Sequence, residues 1–233
     1  MDELFDAKTK NIKQNVYRNI TSIQVSEDLF SDLTDGDKKL HQIAQDAEMK
    51  VKEHIPPGII NRGFHYSTSI EYPFKKDNWM ESRYSDASFP VWYGCIEEQT
   101  TISETLYHMI QKEGAIEGID EIIIRHRAMY QTHCQAVLID LAGKENDYPK
   151  LISDDYSLTQ QIGKRVHHEG HPGLLVPSAR YSGTNVVIFR KEVLSNSKLI
   201  YYLAYQYDPR TQSVTVVRQD SVEQILSLDD LRR

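Results

Sequence analysis

The sequence is poor in several features, and each shortage closes a class of function. It has only two cysteines, Cys95 and Cys134, in 233 residues. That excludes a disulfide-stapled secreted scaffold. Both lie in apolar, strand-like runs and read as buried thiols of a reducing cytosol. No run approaches the ~18 apolar residues of a membrane span. The opening residues, MDELFD, lack the basic-then-apolar order of a secretory signal. A cytoplasmic chain with no membrane partner is therefore expected. Positive charge is in deficit too. The net charge of −7 argues against direct nucleic-acid binding, but it leaves room for a local basic pocket.

Familiar motifs are also missing. There is no Walker A loop and no Gly-x-Gly-x-x-Gly, which disfavours both usual phosphate-loop folds. Ser178 does not sit in a Gly-x-Ser-x-Gly elbow, so a hydrolase nucleophile is not expected. His167, His168, Glu169 and His171 look metal-like. Yet the His-Glu-x-x-His spacing is absent, and Gly170 and Pro172 end the helix there. No metal is expected. Internal repeats and low-complexity tracts are lacking as well.

What remains is an ordinary globular composition, 39% apolar and 26% charged, long enough to bury a core without staples. Residues 1–57 look separable. They read as a mostly helical extension packed on the rest of the chain or on a second copy, shaping assembly rather than chemistry. Val16–Ser22 reads as a short strand. Asp37–His54 carries Leu40, Ile43, Ala44, Ala47 and Val51 at helical spacing and stops at Pro56, Pro57 and Gly58.

The remainder, 58–233, alternates strands with few helices. Strands are expected at Phe89–Ile96, Glu121–His126, Gln135–Asp140, Leu174–Val176 and Val186–Arg190. A hairpin is expected from Leu199–Tyr207 and Ser213–Arg218. One helix should open on a Thr101/Glu104 capping box, with Ile102, Leu106, Met109 and Ile110 as its apolar stripe. A second should open on Ser157/Gln160, carry Leu158, Ile162 and Val166, and end at Gly170. The pattern predicts an α+β fold rather than a doubly wound sheet.

Polar residues gather at the ends of these strands. Arg83 is either a solvated arginine or a planar fork for a phosphate. Tyr93 shares a strand face with Phe89, Val91 and Cys95, so it is either core or a ring that stacks on a flat base. Glu104 is either the reciprocal partner of the Thr101 cap or an active carboxylate. It sits roughly 200° around the helix from Ile102, off the apolar stripe. In a first turn the helix dipole would favour its charge. Ser178 is either a turn serine or, near Arg180, part of a phosphate cradle.

Taken together, these residues resemble the RES-domain family, named for its arginine, glutamate and serine. The first signature is carried by SRYSD at 82–86, VWYG at 91–94 and TISETLYH at 101–108. The second is carried by 173–189, with PSAR at 177–180 and Asn185. The likeness runs from about Arg62 to Arg218. It implies that Arg83, Tyr93, Glu104 and Ser178 are the catalytic set. Arg83, Tyr93 and Ser178, with Arg180 and His65, would bind substrate. It further implies a fold similar to ADP-ribosyltransferases, with twisted mixed sheets, and a bacterial toxin that destroys NAD+ by hydrolysis or phosphorolysis. NAD+ would be substrate rather than cofactor, inorganic phosphate a candidate co-substrate, and an Xre-type antitoxin the partner. A homo-oligomer is a candidate assembly. The alternatives are ADP-ribosyl transfer to a protein or other acceptor, and a non-catalytic nucleotide-binding module.

Overall fold

The computed structural model describes residues 8–22, 67–116, 118, 120–218 and 221–231. The fold is α+β, a large mixed sheet with two long helices against it. In chain order the elements are β1 (Thr9–Thr21), β2 (Glu81–Ser82), β3 (Ser85–Asp86), β4 (Trp92–Cys95), α1 (Glu98–Gly114) and β5 (Ile123–Asp140). Then come α2 (Ser157–His168), β6 (Gly173–Pro177), β7 (Thr184–Ile188), β8 (Leu194–Asp208), β9 (Ser213–Arg218) and β10 (Ser221–Ser227).

The main sheet runs β1-β4-β7-β6-β5-β8-β9-β10, and β1 also pairs with β5. Five strands therefore form a closed circuit, β1-β4-β7-β6-β5, with β8, β9 and β10 extending from β5. Closure depends on the length of β5. One side of this strand pairs antiparallel with β1 from Arg127 to Ile139. The other pairs with β8 up to Cys134 and then in parallel with β6 at Ile139 and Asp140.

Side chains from all five circuit strands meet in one apolar cluster: Ile12 and Val16, Trp92, Cys134 and Leu138, Leu175, and Val186 with Ile188. Alternation sends their neighbours outward. Leu174, Val176 and Val187 pack against Ile162 and Val166 of α2. The α1 stripe, Ile102, Leu106, Met109 and Ile110, is buried as expected against Tyr205, Tyr207, Val214 and Val216 of β8 and β9. Both cysteines are buried and free, and burial raises both thiol pKa values, that of Cys134 to about 12.

Several elements differ from expectation. The two strands expected at 121–126 and 135–140 are one 18-residue strand. Residues 9–21 form a 13-residue strand inside the main sheet, where a mostly helical stretch with a short strand was expected. The amphipathic helix at Asp37–His54 and its Pro56–Gly58 stop lie outside the described residues. Neither capping box forms. α1 starts three residues before Thr101, with Glu97 in extended backbone as its N-cap. The Glu97 carboxylate accepts from Thr100 Oγ1 (2.9 Å) and the Thr184 amide (3.0 Å), which ties the helix start to β7. α2 starts at Ser157, and the Gln160 amide reaches Glu81 and Ser82 instead of its own cap. Among the described residues no helix is long and apolar enough to cross a membrane.

Candidate active site

One end of the strand circuit holds a cavity of about 430 Å³, within the usual range for a small-molecule site. Six pieces of chain wall it. β1 gives Arg18, Asn19 and Ile20, and the 80–84 segment gives Ser82 and Arg83. β4 gives Tyr93, Gly94 and Cys95, and α1 gives Thr101, Glu104, Thr105 and His108. Tyr156 and Asn185 complete it.

Glu104 is the seventh residue of α1, not part of its first turn. Its place is set by donors rather than by the helix end. Ser178 Oγ donates to Oε1 at 2.6 Å, Asn185 Nδ2 at 2.8 Å and the Ala179 amide at 3.3 Å. All three bonds converge on Oε1, and among the described residues none reaches Oε2. Charge-assisted bonds of this kind fix a carboxylate firmly. Asn185 is itself oriented, since its Oδ1 accepts from the Cys95 thiol at 3.1 Å.

Ser178 is fully buried and is not among the cavity walls. The phosphate cradle read from sequence is therefore not what this serine builds. Its oxygen accepts from the Arg180 and Tyr181 amides (3.1 and 3.2 Å), while its hydroxyl donates to Glu104. The turn after β6 thus acts as a clamp behind the carboxylate. Arg180 likewise leaves the cavity walls: it is buried, bonded to Asp154, with its guanidinium 3.3 Å from the Tyr107 ring centroid. His65 lies outside the described residues.

Arg83 is not a solvated arginine. Its Nη1 donates to the carbonyls of Leu151 and Ser153, and the guanidinium stands 4.6 Å from the Tyr156 ring centroid. That leaves the other guanidinium N–H groups for a ligand. Tyr93 is half-buried, with its hydroxyl held by Ser82 Oγ and the Tyr84 amide, both at 2.9 Å. Burial pushes its pKa up to about 12, so it offers a neutral ring. Trp92, its neighbour, points the other way into the core and donates to the Ser69 carbonyl at 2.7 Å.

The sequence reading missed Arg18, Asn19, His108 and Tyr156. His108 lies four residues after Glu104, one turn along the same helix face, a spacing legible in the sequence. Its ring is open to cavity water, yet protein atoms crowd it. That desolvation lowers its pKa; Glu104 opposes the effect, and Arg180, Arg83 and Arg127 reinforce it. Asn185 stands in the second signature but was not singled out. Arg18 carries no local signal, because only the pairing of β1 with β4 and β5 brings it here.

Gly163 of α2 is where helix and site segment touch. A Cβ there would lie 2.0 Å from the Tyr84 carbonyl oxygen, so only glycine lets α2 approach the β2–β3 turn that carries Arg83. The His167 ring stacks on Phe89 at 4.5 Å instead of facing a metal partner. Among the described residues no three His, Cys, Asp or Glu side chains cluster closely enough to hold a metal ion.

A carboxylate, an arginine and a tyrosine face one cavity of this α+β fold. The RES domain matches residues 54–208, two thirds of the sequence, and the chain belongs to that family. No curated protein matches it by sequence. A chain in the crystal structure of the M. tuberculosis MbcT–MbcA toxin–antitoxin complex is similar, at 15% identity and a TM-score of 0.47, over 85% of this chain and 90% of that one.

Proposed function

We propose that this protein is a toxin that cleaves the nicotinamide–ribose bond of NAD+, by hydrolysis or phosphorolysis, and that a cognate Xre-type antitoxin restrains it. Membership of the RES domain family supports the class. The observation that carries the reaction is the triply held Oε1 of Glu104, with Oε2 reached by no donor among the described residues, in a cavity that also presents Arg83 and Tyr93.

The chemistry follows from the bond. Nicotinamide leaves with the bonding electron pair, and its ring loses its positive charge as it goes. The ribose carbon develops oxocarbenium character, as in glycoside hydrolysis. A fixed carboxylate beside that carbon stabilises the growing positive charge without reorganising, the most effective form of electrostatic catalysis. Glu104 takes that role. Tyr93 stacks on the nicotinamide or ribose. Arg83 binds the pyrophosphate, or an incoming inorganic phosphate. Ser178 and Asn185 hold Glu104 in place. Water or phosphate then bonds to the ribose carbon, giving ADP-ribose or its 1-phosphate.

Purified protein incubated with NAD+, with and without phosphate, tests this directly. Free nicotinamide is expected, together with one of these two products. Label from adenine-labelled NAD+ on macromolecules would replace the reading with ADP-ribosyl transfer, and intact NAD+ would sink both. In cells, expression of the chain alone should drain NAD+ and stop growth. Growth arrest with a level NAD+ pool would contradict the proposal.

A further inference from the structure

We propose that Arg18 is a second anion-binding residue of the cavity and takes a phosphate group in addition to the one assigned to Arg83. The inference rests on the NAD+ reading for what carries the phosphate, but the site itself stands on the geometry of β1.

Arg18 lines the cavity from the end of β1. Its guanidinium lies 5.2 Å from the Trp92 ring centroid, and Nη1 donates to the Tyr93 carbonyl at 3.2 Å. Among the described residues its buried Nε meets no hydrogen-bond acceptor. Among the described residues no carboxylate lies within ion-pair distance of it. Other arginines fare differently: Arg125 meets Glu113, Arg165 meets Glu169, Arg180 meets Asp154 and Arg210 meets Asp208. The surroundings of Arg18 are cationic instead. Arg127 stands near, and its own donors go to Asn19 and Thr21, all neutral acceptors. Burial lowers the Arg18 pKa to about 9, and the Arg127 charge adds to the effect.

Acids outnumber bases in this chain, 34 to 27, so the missing partner is not a shortage of carboxylates. A half-buried guanidinium with its Nε out of reach of solvent and no carboxylate beside it is costly unless an anion joins it. Its planar fork suits a phosphate, and the cation–π contact with Trp92 holds that fork steady. Two separately held arginines in one nucleotide-sized cavity match a pyrophosphate, or a nucleotide with inorganic phosphate beside it. Both sources offer the same chemistry to Arg18.

Isothermal titration of the full chain with ADP-ribose, with inorganic phosphate and with nicotinamide tests the assignment, using Arg18→Gln and Arg18→Lys. A lost charge-assisted bond should weaken a phosphate-bearing probe by roughly tenfold or more in Arg18→Gln, and less in Arg18→Lys. Nicotinamide, which has no phosphate, should bind both variants as it binds the parent. The melting temperature of unliganded Arg18→Gln should hold or rise, since a half-buried charge without a carboxylate partner is gone. If ADP-ribose alone loses affinity, Arg18 serves the dinucleotide; if inorganic phosphate alone does, it serves a co-substrate. Parental affinity for both probes in both variants overturns the proposal. Should Arg18→Gln fail to fold, Arg18→Lys decides by the same criterion. Arg18-dependent binding without NAD+ cleavage would defeat the NAD+ reading and leave this one standing. Cleavage with phosphate binding indifferent to Arg18 would do the reverse.

Discussion

Ser178→Ala removes one donor from Glu104 and leaves the carboxylate itself untouched. The lost bond, 2.6 Å to Oε1, goes to a charged group. Such bonds contribute about 1.5–3 kcal/mol, equivalent to about 10- to 150-fold in rate if the loss falls on the transition state. The Asn185 and Ala179 donors remain, so the lower part of that range is expected, a fall in kcat of about 10- to 30-fold. Stability should drop as well, because the Arg180 and Tyr181 amides lose their acceptor. We expect a loss of about 1–3 kcal/mol there. A double-mutant cycle separates the two effects. Glu104→Gln removes the charge, which reduces the same bond to a neutral one of about 0.5–1.5 kcal/mol. In that background Ser178→Ala should slow single-turnover NAD+ loss by at most about tenfold, while its effect on melting stays the same. Equal rate costs in both backgrounds, or a folded Ser178→Ala enzyme with parental kcat, would refute the clamp.

Three further outcomes are expected. Glu104→Gln alone should cut kcat by about 10²-fold or more with the melting temperature nearly unchanged, as circular dichroism would record; parental turnover would reduce Glu104 to a structural residue. Arg83→Lys keeps the charge but loses the fork, so NAD+ affinity should weaken by about 1–3 kcal/mol in a titration, and an unchanged affinity would contradict its role. Gly163→Ala must push α2 away from the Tyr84 carbonyl, costing about 1–3 kcal/mol in denaturant unfolding and raising KM through Arg83; parental values for both would show that the contact gives way freely.

Local pattern revealed what depends on local pattern. The α1 and α2 stripes were legible because burial follows the helical repeat, and the β8–β9 hairpin because Asp208, Pro209 and Arg210 interrupt two apolar runs. β5 was not. Arg125, Arg127, Gln131, His133 and Gln135 fall on one face at a spacing of two, but the other face mixes His126 and Thr132 with its apolar residues, and the strand's continuity comes from partners on both sides. The helix starts were misjudged for a similar reason. Thr101 and Ser157 fit the capping pattern, but Glu97 is anchored to Thr184 across the sheet, and that tertiary bond sets where α1 begins. At the site, Arg83, Tyr93 and Glu104 were named and do share a cavity. Ser178 was named with the wrong duty, because sequence does not reveal that it is buried behind Glu104. Arg18 and Asn19 were missed because they reach the cavity through pairing across more than a hundred residues.

That pairing has a temporal side. Thr21 lies opposite Arg127 and Thr9 opposite Ile139, so β1 is synthesised 106 to 130 residues before its partner strand. At ~5–20 residues per second, the first strand waits roughly 5–26 s on the ribosome with its edge unmatched. The Glu104 clamp closes later still, when Ser178 and Asn185 have emerged. A ribosome-bound chain that stops before β7 lacks one wall and, in Asn185, one of the three donors to the carboxylate. The complete cavity is thus a late product of translation, closed only after β7 has emerged.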